Sequence, residues 1–202
     1  MLKKALQNFI IKRTFAAKLR NKGMNTFSNF EILKNVRSSA ELKRIEENRP
    51  HQVTYFHKVD DPYSHLAIQY IDKLQASFDI SFQTVLVGEE NSDAVHEPSL
   101  YSNYCLDDAK RIAPFFDVKF SAKSYPSKES VAKSNKILTA VDNKNFSEVA
   151  KKLSSALWSG NESILDDLAR EYSATDEEVL NKLESGNLIR NEKNYYFGSA
   201  FY

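Results

Sequence analysis

The chain has 202 residues, of which 42% are hydrophobic and 27% charged, an ordinary composition for a globular protein with one sizeable core. No apolar run approaches the ~18 residues that a membrane-spanning helix needs. Cys105 is the only cysteine, which excludes an intrachain disulfide and a thiolate-rich metal site. A reducing, cytoplasmic setting fits this cysteine usage best.

The net charge of +1 conceals an uneven distribution along the chain. Residues 1–50 carry 12 lysines and arginines against 4 acidic residues, and residues 51–202 carry 16 against 23. The two parts therefore have net charges of +8 and −7. Apolar residues recur at roughly helical spacing among the first basic ones, which predicts a basic helical arm over residues 1–50. These apolar positions are Leu2, Leu6, Phe9, Ile10, Ala16 and Ala17.

The basic arm admits several interpretations. It lacks the apolar core of about 7–15 residues that a signal peptide needs, and only its basic, acid-free start resembles a mitochondrial presequence. Binding to nucleic acid or to anionic lipid is a further alternative, although basic patches are common and unspecific. We favour a structural arm that packs its apolar stripe on the acidic main domain, or on a partner subunit in a homodimer. We expect no nucleic-acid partner and no membrane span.

The next elements predict an α/β domain. Gly23 and the polar sequence NKGMNTFSN should interrupt the arm, before a second helix at about residues 29–48. A strand at Val53–Val59, a helix at about 62–77 and a strand at 80–87 then follow. This order is a βαβ unit, which favours a parallel strand pair.

Helices dominate the rest of the chain. A polar loop is expected from Gly88 to Asn103, followed by a helix in YCLDDAKRIAPFF that Pro114 ends or kinks. The last predicted helix has Thr175 as its cap, with Glu178 completing a capping box, and Gly186 following its final turn. The aromatic end, NYYFGSAFY, is predicted to be a strand. The four later helices are predicted at 127–143, 145–158, 161–172 and 175–185.

A helical insertion within a small α/β sheet is the simplest account of this order. We predict a basic arm at 1–50, a sheet domain formed by 51–88 and 187–202, and a helical insertion at 89–186. The chain stops within its last predicted strand, so the C-terminal hairpin is expected to be incomplete, as in a truncated chain.

The sequence DDPYSH joins the first strand to its helix. Asp61 can accept backbone N–H bonds as an N-cap, and Pro62 suits the first helical position, where no N–H is needed. The Asp61 carboxylate also meets the positive end of the helix dipole. Helix capping alone thus explains the aspartate and the proline.

The longer sequence YFHKVDDPYSHLA resembles the first strand–helix turn of the DsbA-like thioredoxin superfamily. It is most similar to the branch of 2-hydroxychromene-2-carboxylate isomerases and kappa-class glutathione transferases, which shows a serine before Pro-Tyr-Ser. The similarity covers roughly residues 53–202, through YCLDDAKRIAPFFDVKF, ALWSGNESILDDLA and FGSAFY. It implies a thioredoxin-like fold with an inserted helical subdomain. It also implies a glutathione-dependent isomerase or transferase acting on a small organic substrate.

The resemblance assigns the site residues. Asp61 takes the first position of the active turn and Ser64 the second, which makes them the implied catalytic pair. Neither is a cysteine, so dithiol–disulfide chemistry is excluded. An ionised Asp61 would repel a glutathione thiolate, and only a protonated Asp61, helped by Ser64 or Tyr63, could donate a hydrogen bond to it. Glutathione is the implied cofactor, and no metal is expected. The implied substrate-binding residues are Tyr63, His65, Trp158, Ser199 and Ala200.

A second departure concerns the superfamily's cis-proline, whose position Ala200 occupies. A cis bond is not expected there, because a non-proline cis peptide costs ~2.5–4 kcal/mol. Asp61 at the active turn and Ala200 at the cis-proline position both depart from the superfamily's usual active site. The alternative function is therefore a non-catalytic thioredoxin-fold module that binds a peptide, a partner or another subunit.

Other candidate residues favour structural roles. Cys105 is expected to be a buried core residue. A metal site built from His57, Asp60, Asp61 and His65 is a weak alternative, because the spacing matches no recognised metal pattern. Trp158 favours a core position between helices, and the tyrosines at 101, 104 and 125 favour half-buried surface positions.

Overall fold

The computed structural model describes residues 14–89, 97–193 and 200–201. The chain divides into two compact units, residues 1–50 and residues 51–202. The predicted apolar positions from Leu2 to Ile10 lie outside the described residues. The division of residues 51–202 into a sheet domain and an insertion stays a prediction.

In its described part, residues 14–50, the first unit contains two helices, α1 (Thr14–Phe27) and α2 (Phe30–Glu46). Asn29 begins α2, because its side-chain oxygen accepts the N–H groups of Glu31 and Ile32 at 3.0 and 3.3 Å. The predicted interruption of the arm is confirmed at Ser28 and Asn29, within NKGMNTFSN, but Gly23 itself lies inside α1. A single glycine weakens a helix without ending it, whereas an asparagine cap starts a new one.

The second unit opens with the predicted βαβ order: β1 (His51–His57), α3 (Pro62–Ser77) and β2 (Ile80–Leu86). The two strands pair in parallel, from His51 opposite Ile80 to His57 opposite Leu86, which confirms the predicted parallel pair. A short strand, β3 (Ala200–Phe201), pairs antiparallel with the other edge of β1. The strand order is therefore β2-β1-β3 among the described residues.

Five α-helices and a short 3-10 helix (Ala113–Phe116) follow β2 in the part of the chain that the structure describes. The α-helices agree with the sequence pattern except at the start of the first and the end of the last. The first begins at Pro98, within the stretch predicted as a loop, because a proline at the first helical position needs no N–H partner. The capping box of Thr175 and Glu178 is confirmed. None of the described helices is long and apolar enough to cross a membrane. The helices are α4 (Pro98–Ile112), α5 (Lys128–Ala140), α6 (Phe146–Ser159), α7 (Glu162–Glu171) and α8 (Asp176–Glu192).

Gly186 lies inside α8, so its predicted place after the final turn is wrong. A Cβ atom at this position would lie 1.9 Å from the carbonyl oxygen of Leu86 and 3.3 Å from Val85 Cγ1. Glycine therefore allows α8 to approach the end of β2 closely. The predicted boundary between residues 186 and 187 falls within this continuous helix.

One hydrophobic core joins the sheet to the helices that follow it. Buried side chains from β1, α3 and β2 pack in the same cluster as those from α5, α6 and α7. The helical stretch therefore shares its core with the sheet, and it holds α3 in place. Fully or almost fully buried members are Tyr55, Ile68, Leu86, Ile137, Leu138, Leu153 and Leu165.

Two glycine-to-alanine substitutions test the packing of α8. Gly186→Ala should lower the free energy of unfolding by ~1–3 kcal/mol, because the new methyl group would clash with the β2 backbone. Gly23→Ala is the matched control, since a Cβ there has no atom within 4 Å. The control should strengthen its helix by roughly 0.5–1 kcal/mol. Urea denaturation followed by circular dichroism measures both, and equal effects would contradict the close approach.

Candidate functional site

Asp61 is the N-cap of α3, as the sequence predicts. Its backbone is extended, and its carboxylate oxygens accept the N–H groups of Tyr63 at 3.4 Å and Ser64 at 3.0 Å. Asp61 is only 9% exposed, so these bonds are largely shielded from water. Pro62 occupies the first helical position. The carboxylate of Asp61 thus accepts hydrogen bonds from the first backbone N–H groups of α3.

Ser64, the second implied catalytic residue, does not line the cleft at Asp61. It is fully buried, and its hydroxyl oxygen accepts the N–H of Lys58 at 3.0 Å. Lys58 follows β1 directly, so its amide lies beyond the strand pairing and needs another partner. Ser64 supplies that partner and ties the first turn of α3 to the end of β1.

A buried pair, Tyr55 and His57, lies behind this turn. The Tyr55 hydroxyl donates to the carbonyl oxygen of Ser64 at 3.1 Å and lies 2.8 Å from His57 Nδ1. Because the hydroxyl has one proton, we assign the proton of the second bond to His57 Nδ1. Burial, helped by the nearby charge of His65, lowers the pKa of His57 to about 3, so it is neutral at physiological pH.

His65 also lies in the core and not in the cleft. Its Nδ1 is 2.8 Å from the hydroxyl oxygen of Ser154, which links α3 to α6. Burial lowers the pKa of His65 to about 4, against a smaller opposing effect of the Lys119 backbone. Trp158 is buried close by, with its ring centroid 6.4 Å from that of His65. The structure therefore does not bring these two implied substrate-binding residues to Asp61.

The hydroxyl of Tyr63, an implied substrate-binding residue, is engaged by α4. This hydroxyl donates to Asp108 Oδ2 at 2.8 Å, which links α3 to α4. Burial, and then this hydrogen bond, raise the pKa of Tyr63. The ring lines a separate apolar groove of about 300 Å³, together with Leu66, Ala67, Tyr70, Leu74, Ile112 and Phe116.

The cleft at Asp61 has a volume of about 190 Å³, which suits a small molecule or one end of a larger one. Its charged residues come from the turn between β1 and α3, where Lys58 Nζ lies 3.0 Å from Asp60 Oδ1. The lining therefore contains one lysine and two aspartates. The opposite wall comes from α4 and from Tyr125. The lining residues are Lys58, Asp60, Asp61, Pro62, Pro98, Tyr101, Ser102, Cys105 and Tyr125.

Cys105 is buried, as predicted, but it also forms part of the cleft wall. Burial raises the pKa of its thiol, hydrogen bonds from Tyr101 and Tyr63 oppose the shift, and the charge of Asp61 adds to it. Burial and the charges of Cys105 and Asp61 likewise raise the pKa of Tyr125. The surroundings of Asp61 thus disfavour further negative charge. The sequence gives no signal for this proximity, because α3 and α4 are brought together only by the fold.

The remaining implied site residues are placed less fully. Ala200 pairs with Phe56 in the sheet, which sets its backbone beside β1. Ser199 lies outside the described residues. Within residues 14–89, 97–193 and 200–201, no group of three or more His, Cys, Asp or Glu side chains is arranged to hold a metal ion.

The stability of two Asp61 variants tests whether this side chain caps α3. Asp61→Ala should lower the free energy of unfolding by ~0.5–2 kcal/mol, because two N–H groups of α3 lose their acceptor. Asp61→Ser should keep most of the stability, since serine is also a good N-cap. Chemical denaturation of both variants measures the difference. Equal stability of the alanine variant and the parent would contradict the capping role.

The thiol of Cys105 should react slowly in the folded protein. A disulfide-exchange reagent needs access and a thiolate, and both burial and the raised pKa oppose its reaction. The rate should rise with pH and continue to rise above the ordinary thiol pKa of ~8.5. Absorbance assays on native and urea-unfolded protein measure the contrast. Equal rates in the two states would contradict the burial.

Comparison with known proteins adds one informative likeness. No family model and no curated protein matches the chain. Among solved structures, that of selenomethionine 2-hydroxychromene-2-carboxylate isomerase is similar, with a TM-score of 0.54 and 11% sequence identity. The match covers 75% of this chain and 84% of the other. At this identity the likeness concerns the fold alone, and it shows that the chain has the predicted thioredoxin-like fold with helical additions.

Proposed function

We propose that the protein binds a small organic molecule in the cleft at Asp61, without thiol–disulfide chemistry. The observation that carries this proposal is the use of the Asp61 carboxylate to cap α3 at the mouth of a cleft. In the superfamily that the sequence resembles, this position carries a reactive cysteine or serine. Here the position holds a structural anion, while the cleft beside it remains.

The charges of the cleft argue against a glutathione thiolate. A thiolate placed ~4 Å from an ionised Asp61 would be repelled by ~1–4 kcal/mol, depending on exposure to water. Ser64 does not compensate, because its hydroxyl is buried against the Lys58 amide. The described residues therefore do not fit glutathione bound through its sulphur. A neutral or cationic group on the ligand fits this cleft better.

A glutathione-dependent isomerase or transferase is the second candidate. It is supported by the fold shared with 2-hydroxychromene-2-carboxylate isomerase over 75% of the chain. It requires a protonated Asp61 that donates to the sulphur and gives up part of its capping role. Under either function we propose a cytoplasmic location, where the single thiol of Cys105 stays reduced.

Titration calorimetry with glutathione separates the two candidates. The parent should show no saturable binding at millimolar concentrations, whereas Asp61→Ser should gain affinity, because serine keeps the cap and removes the charge. Asp107→Ser is a matched control, since Asp107 is an exposed carboxylate of α4 outside the cleft lining. Saturable binding by the parent that Asp61→Ala abolishes without loss of stability would overturn the proposal and support the enzyme.

A further inference from the structure

The tyrosines of the cleft wall indicate which kind of molecule binds at Asp61, an inference that rests on the proposed function. Tyr101 lies on α4 and Tyr125 on the segment before α5, and both line the same cleft as Asp61. Pro98, Tyr101 and Cys105 recur at a spacing of three and four residues, so one face of α4 forms this wall. The cleft thus combines a carboxylate on the turn with aromatic side chains on the facing wall.

Tyr125 is held in position at this wall. Its hydroxyl donates to the carbonyl oxygen of Ser102 on α4 at 3.1 Å. Its ring meets the ring of Trp158 in an edge-to-face contact, with the two centroids 5.6 Å apart. A side chain that is already fixed costs little further conformational entropy when a ligand packs against it. Tyr125 is therefore prepared to form one wall of a binding site.

The carboxylates decide which sign of charge the cleft favours. Lys58 and Asp60 form an ion pair, with Nζ 3.0 Å from Oδ1, which engages the one lysine and one of the two aspartates in the described lining. Asp61 is the other aspartate. Burial raises the pKa of Tyr125, and the charges of Cys105, Asp61 and Asp60 raise it further. Burial opposes charge of either sign, whereas these neighbours oppose negative charge and favour positive charge.

The hydrogen bonds of the two aspartates favour a cation that has no N–H group to donate. Both carboxylate oxygens of Asp61 already accept a backbone N–H, one from Tyr63 and one from Ser64. Asp60 is engaged by Lys58. A primary ammonium gains most by donating hydrogen bonds to a carboxylate, whereas a quaternary ammonium is bound through its charge and by aromatic faces. The cleft therefore matches an alkylated ammonium better than a primary amine.

We propose that the cleft at Asp61 binds the quaternary ammonium group of a small organic molecule. The carboxylate of Asp61 supplies the negative charge, and the rings of Tyr101 and Tyr125 supply the aromatic surface. A cation within ~6 Å of such a ring is attracted by the ring quadrupole, more strongly where water is excluded. The volume of about 190 Å³ is below the ~300–1,000 Å³ of sites for drug-sized ligands, so the ligand is small.

Three probes test this proposal with the full chain. Choline carries a quaternary ammonium, 3,3-dimethylbutan-1-ol is its neutral isostere, and ethanolamine is the corresponding primary ammonium. Titration calorimetry at constant ionic strength should show saturable binding of choline at millimolar concentrations. The other two probes should bind about tenfold more weakly or less, because one lacks the charge and the other remains more strongly hydrated.

The outcomes separate this proposal from the proposed function. Equal affinity for choline and its neutral isostere would overturn the cation preference but support a small-molecule cleft. Equal affinity for choline and ethanolamine would overturn the preference for a quaternary group. A lack of choline binding would overturn the inference as a whole, while the glutathione titration tests the proposed function separately.

Variants of the cleft identify the groups that hold choline. Asp61→Asn keeps a good N-cap and removes the charge, so the affinity should fall about tenfold while the fold is retained. Tyr101→Leu should weaken binding about threefold or more, whereas Tyr101→Phe should keep most of the affinity because the ring remains. Asp107→Asn and Tyr104→Leu are matched controls at exposed positions of α4 outside the cleft lining, and they should bind choline like the parent.

Circular dichroism and thermal unfolding check that each variant is folded. An Asp61→Asn variant that binds choline as tightly as the parent would overturn the proposal. Equal affinities of the Tyr101→Leu and Tyr101→Phe variants would do the same, because the ring would then contribute nothing.

Discussion

The capping of α3 by Asp61 is the interaction on which the candidate site depends. A buried strand that passes into a helix within a few residues leaves backbone N–H groups with little access to water. Each such donor, if unpaired, costs ~1–3 kcal/mol. Asp61 accepts two of them, and the Ser64 hydroxyl accepts the amide of Lys58. The side chains that chemistry would use are thus engaged by the backbone.

The layer behind the turn reinforces this arrangement. The Tyr55 hydroxyl donates a hydrogen bond to the carbonyl of Ser64 and accepts one from His57 Nδ1. His65 extends the polar contacts to α6 through Ser154. Both histidines are neutral because burial makes their charged forms costly. The polar side chains around the turn therefore act as a scaffold, and the cleft is shaped by that scaffold and by α4.

Features that arise from neighbouring residues could be predicted from the sequence. The βαβ order, the Asp61 cap and the capping box at Thr175 each depend on a few adjacent side chains. Features that depend on distant segments could not. Nothing near Gly186 shows that β2 will pass so close to it, and nothing near Cys105 shows that it will share a cleft with Asp61. Local patterns predicted the βαβ order and the start of α3, and the family resemblance implied the thioredoxin-like fold. Tertiary packing decided which side chains reach the cleft.

The double use of Asp61 also affects how such sequences change over time. Loss of a reaction usually frees its residues to drift, but Asp61, Pro62 and Ser64 also stabilise the start of α3. Selection for stability would therefore favour an N-cap residue, the proline and the serine at these positions whether or not the site catalyses a reaction. The presence of these residues in a related sequence therefore shows that the turn is kept. It does not by itself show that the protein is a catalyst.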